Sequence, residues 1–64
     1  MDRDLENRLL GIAAAKGEWY AAVEYLYKKL KYSVDTSWKL VDVARGKNPD
    51  LDIPLIRHRY EEHH

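Results

Sequence analysis

The sequence predicts an all-α protein, a small three- to four-helix bundle opening with an antiparallel helical hairpin that turns near Gly17. Three observations carry that reading. Leu5, Leu9, Ile12, Lys16, Trp19, Val23, Leu26 and Leu30 alternate spacings of four and three, the repeat of a helical seam. No alternating apolar and polar run flanked by turn residues competes as a strand. The apolar stretches are separated by capping residues, glycine and proline, which start and stop helices.

The first helix is predicted over residues 2–15. Leu5, Leu9, Ile12 and Ala13 share one face, and Asp2 and Asp4 suit the positive end of the helix dipole. Asp4 and Arg8 stand in favourable i,i+4 order. Gly11 weakens a helix interior, and its presence beside three alanines suggests close approach of another helix. The second helix is predicted over residues 18–31, with Trp19, Ala22, Val23, Leu26 and Leu30 inward and a Glu24–Lys28 pair outside. The third is predicted over residues 36–45, capped by Asp35 and stopped by Gly46 as a C′ residue. Lys47, Asn48, Pro49 and Asp50 compose a turn. A shorter fourth helix is predicted over residues 53–62, with Asp52 as its N-cap and Pro54 in its first turn.

The seam would suit one continuous rod as well as a hairpin. Gly17 directly follows an unbroken helical segment, as a C′ residue does, and a chain of 64 residues would struggle to cover such a rod. Leu10 and Gly11, then Gly17, Glu18 and Trp19, then Ala22 give a pattern that resembles the hairpin of a tetratricopeptide repeat. The likeness spans about 25 residues, is one residue short between the glycines, and has no second copy. It implies a helical turn at Gly17 and no particular activity.

One domain accounts for residues 1–64. Such a chain buries a modest core, so oligomerisation is a common source of added stability. Without cysteine it has no disulfide framework and no thiolate metal site. The opening Met1, Asp2, Arg3 and Asp4 do not resemble a secretory leader, and a cytoplasmic location is expected. Eleven bases balance eleven acids, but residues 25–45 hold five bases and two acids. That stretch is either a solvated lysine face or a phosphate-seeking one.

No catalytic motif is present, so no enzyme is expected, and no cofactor. His58, Glu61, Glu62, His63 and His64 are metal-ligand types, but at a chain end they lack the convergent ligands and ordered surroundings of a metal site. Two tryptophans and five tyrosines are many for a small helical core. Aromatics with polar tips favour interfaces. The chain is therefore read as a small non-catalytic interaction or regulatory protein, a homodimer or bound to a protein partner through Trp19, Tyr20, Tyr27 and Trp38. Trp19 and Trp38 would serve equally well as core. The alternative is a nucleic-acid binder of helix-turn-helix type. It would use the third and fourth helices, with Lys28, Lys29, Lys31, Arg57 and Arg59 as contacts.

Overall fold

The computed structural model describes residues 2–56. Among them the chain forms three helices and no strand. These are α1 (Arg3–Lys16), α2 (Tyr20–Glu24), which runs on into a π-helical turn (Tyr25–Lys29), and α3 (Val34–Gly46).

Asp2 caps α1, its side chain accepting from the Asp4 amide at 3.1 Å. Gly17 ends the helix in the left-handed region at φ 75°, and the Gly17 and Glu18 amides both donate to the Ala13 carbonyl. That conformation is open to glycine at little cost and strains an L side chain. The seam is thus two helices, not one rod. Gly11, by contrast, is exposed, and a Cβ built there meets nothing within 4 Å. It is not a point of helix contact. Gly11→Ala is expected to raise stability by roughly 0.5–1 kcal/mol, and Gly17→Ala to lower it by about 1–2 kcal/mol. Urea unfolding of the two variants checks the opposite signs.

α2 begins two residues later than the sequence suggests, and its opening amides have a tertiary solution. The Trp19 amide donates to the Pro54 carbonyl at 2.8 Å and the Tyr20 amide to the Leu55 carbonyl at 3.3 Å. These are the donors a helix start leaves without an internal partner. The fourth helix is corrected accordingly. Residues 53–56 are not helical. The Pro54 and Leu55 carbonyls meet the start of α2, and Ile53 and Leu55 pack against the core. Asp52 therefore caps no helix at this point, and the remainder of the predicted element lies outside the described residues.

The π turn is the second departure. Leu30 donates to the Tyr25 carbonyl five residues back at 3.3 Å, in place of the Leu26 carbonyl. A turn holding more residues advances each of them less around the axis. Leu30 is carried off the seam that Leu26 occupies: Leu26 is fully buried and Leu30 is 42% exposed. The helix then stops at Lys31, which sits in the left-handed region at φ 65°. A lysine there is strained. Lys31→Gly is expected to add about 1 kcal/mol of stability in thermal or urea unfolding.

α3 starts earlier than predicted. Ser33, not Asp35, is the N-cap, its Oγ accepting from the Thr36 amide at 3.1 Å. Asp35 then falls in the first turn, where its charge faces the positive dipole end. The buried Ser37 hydroxyl donates to the Ser33 carbonyl at 2.8 Å. At the far end Gly46 is still helical, and the C-cap is Lys47. The Asn48 amide side chain donates to the Ala44 carbonyl at 2.8 Å, and a turn closes through the Leu51 amide to the Asn48 carbonyl. Proline second in that turn has its preferred position.

The three helices pack on one another around Leu9, Ala13, Trp19, Val23, Leu26 and Val41. Ala13, Ala22 and Ala44 give each helix one fully buried alanine, so the backbones approach closely. Two polar contacts tie the periphery. Lys47 Nζ meets Glu6 Oε2 at 3.0 Å, joining the end of α3 to α1. Arg8, expected to pair with Asp4, donates to the Tyr25 hydroxyl at 3.0 Å. Exposed contacts of this kind contribute below about 1 kcal/mol each.

Candidate interaction surface

The four aromatics predicted to meet a partner divide into two pairs. Trp19 is 2% exposed and Tyr20 8% exposed, and both belong to the core. Trp19 lies where the start of α2 meets residues 54 and 55. Tyr20 is covered by Trp38, with ring centroids 5.4 Å apart at 61° in an edge-to-face contact. Neither side chain offers a face to a partner in this fold. Trp38 and Tyr27 are half-buried and pack against the core edge.

Lys28, Lys29 and Lys31 are exposed. Lys28 is engaged: its ammonium meets Glu24 Oε2 at 2.8 Å and lies 5.8 Å from the Tyr27 ring centroid. The hydrogen bond to Glu24, then the charge of Glu24, holds the Lys28 ammonium above its ordinary pKa. A raised lysine favours the folded state at lower pH, so the pair's contribution is full below about pH 10 and fades as pH climbs past the raised value. Arg57 and Arg59 lie outside the described residues, as do the histidine-rich tail and Tyr60. Because residues 53–56 are not helical, the second helix of a helix-turn-helix does not begin where the sequence suggested.

Sequence reasoning missed a groove between α1 and α2. Ile12, Ala21 and Tyr25 form its floor, and Lys16, Glu24, Lys28 and Lys29 stand around it, enclosing about 480 Å³. Ile12 belongs to the seam, Ala21 and Tyr25 lie beside it, and only the packing of the two helices brings the three together. A second, more polar cleft of about 430 Å³ runs past Trp19, Asp42, Arg45, Asn48 and Ile53 to Leu51. A salt bridge of 3.6 Å between Arg45 and Asp42 stands beside it.

Large apolar side chains also remain in water. Leu30 and Tyr32 are exposed in the stretch joining the π turn to α3, Val34 at the start of α3, and Val43 and Leu51 elsewhere. Leu51 is 45% exposed and stands between Asp50 and Asp52, both exposed. The sequence did carry that signal, as a leucine between two acids directly after a proline turn.

No group of three or more metal-ligand side chains converges among the described residues. No described helix is long and apolar enough to cross a membrane. Fold and surface together define a small all-helical protein with an apolar groove edged by lysines. Comparison with protein-family models, with curated proteins and with solved structures gives no match to this chain.

Proposed function

We propose that this chain is a small non-catalytic interaction protein of regulatory type, acting in the cytoplasm and associating with itself. The observation that supports it best is the lysine-edged groove, together with the aliphatic side chains left in water at Leu30, Val34 and Leu51. Of the four aromatics predicted as contacts, Tyr27 and Trp38, both half-buried, remain as candidates. The α1–α2 pair is taken as an antiparallel hairpin that presents the groove as one surface. Absence of cysteine accords with a reducing compartment.

Sedimentation equilibrium tests this reading. The mass is expected to rise with concentration from the 7.6 kDa of one chain towards twice that value. The midpoint of a weak association is expected in the range of about 10 μM to 1 mM. A single 7.6 kDa species at every concentration would contradict self-association.

Nucleic-acid binding is a second reading, favoured by the exposure of Lys28, Lys29 and Lys31 together with Lys16. It requires affinity for random duplex DNA that falls steeply with salt, about one power of salt concentration per phosphate contacted. Binding that is absent, or indifferent to salt, removes it.

A further inference from the structure

We propose that the groove between α1 and α2 is filled by residues 50–52 of a second copy of this chain, Leu51 entering over Ile12, Ala21 and Tyr25. The proposal rests on the self-association reading and names the two surfaces that meet. Its basis is complementarity in both hydrophobicity and charge. The groove has an apolar floor and carries three lysines against one acid. Lys28 is already held by Glu24 at 2.8 Å, which leaves Lys16 and Lys29 as the exposed cations at its edge. Residues 50–52 are the inverse arrangement, one apolar side chain between two exposed carboxylates.

The loop is built to be presented. The Asn48 side-chain amide donates to the Ala44 carbonyl at 2.8 Å and the Leu51 amide to the Asn48 carbonyl at 3.2 Å, so two hydrogen bonds hold the turn that carries Leu51. A pre-ordered loop loses little freedom on docking. The groove volume of about 480 Å³ exceeds one leucine side chain, which leaves room for the flanking backbone. Eleven bases against eleven acids leave no net charge to push two copies apart, so the local charges decide the approach. Groove and loop are different parts of the surface. If two copies dock reciprocally about a two-fold axis, each supplies one loop and one groove and the contact closes as a dimer.

A charge exchange tests the pairing. One variant carries Asp50→Lys and Asp52→Lys, the other Lys16→Glu and Lys29→Glu. All four positions are exposed, so both variants are expected to retain parental helical circular dichroism. Each alone sets like charges against like across the contact. Each is expected to self-associate at least about tenfold more weakly than the parent by sedimentation. Mixed one to one, the basic loop meets the acidic groove and the acidic loop the basic groove, so association is expected to return as a mixed dimer. Leu51→Ser, which removes the apolar insert without changing charge, is expected to weaken the parent dimer by a similar factor.

Variants that associate as strongly as the parent, or a mixture that stays monomeric while the parent dimerises, overturn the pairing and leave self-association standing through another surface. A parent chain that is monomeric up to about 1 mM overturns both.

Discussion

Leu26→Ala is expected to lower the free energy of unfolding by about 3 kcal/mol, within the usual 2–5 kcal/mol for a fully buried leucine. Leu26 has no exposed surface and is among the largest side chains of the core. It comes just after the start of the π turn, so the helix backbone cannot close readily on the cavity left behind. A domain of this length has a total stability of roughly 3–10 kcal/mol. The variant is therefore expected to lose about a third or more of that stability, seen as a urea midpoint well below the parent's. Leu30→Ala supplies the contrast. The heptad repeat gives both leucines equal standing, yet Leu30 is 42% exposed. Its truncation is expected to cost below about 1 kcal/mol. Equal losses at the two positions would mean that the π turn is absent in solution and the seam runs on.

Trp19→Ala is expected to cost about 4 kcal/mol, in the 3–5 kcal/mol range of buried aromatic truncations. The ring is 2% exposed, at the start of α2 and along the cleft that leads to Ile53 and Leu51. Its backbone amide still donates to Pro54 after the substitution, so the loss reports the ring. Truncating Trp38, only half-buried, is expected to cost less. The pairing separates core from contact. If Trp19 were instead a partner-binding side chain, Trp19→Ala would leave the monomer's urea midpoint almost unchanged and weaken association. The expected result is the reverse at each reading.

Local chemistry made part of this fold legible. Gly17 ends α1 as its position after an unbroken helical segment suggests, whereas Asp2, placed by the sequence in the first turn, is the N-cap. The Glu24–Lys28 pair and the proline turn before Leu51 are equally local. The start of α3 was harder. Ser33, Asp35, Thr36 and Ser37 all have capping side chains, and only the extended backbone of Ser33, at ψ 156°, decides among them. The π turn has no residue signature at all. Residues 53–56 read as a helix start because Asp52, Ile53 and Pro54 satisfy every local rule, but the Pro54 and Leu55 carbonyls find amides at the start of α2. That competition is tertiary, and no window of sequence contains both sides of it.

The candidate surface followed the same division. Exposure of Lys28, Lys29 and Lys31 was readable from three lysines at a helix end. The burial of Trp19 and Tyr20 was not readable, because an aromatic count says how much ring must be covered and not which rings the core takes. Tyr20 is enclosed by a residue eighteen positions away, Trp38 on α3. The groove was invisible for a related reason: Ile12 and Ala21 belong to different helices, and their separation in sequence says nothing of a shared floor.

Isotope-filtered nuclear Overhauser spectroscopy, on a sample mixing labelled and unlabelled copies, tests the contact between chains most directly. The account expects intermolecular cross-peaks from the Leu51 methyls of one copy to the Tyr25 ring and Ile12 methyls of another, at concentrations where sedimentation finds dimer. Cross-peaks confined to other residues, or none at up to about 1 mM chain, would contradict it.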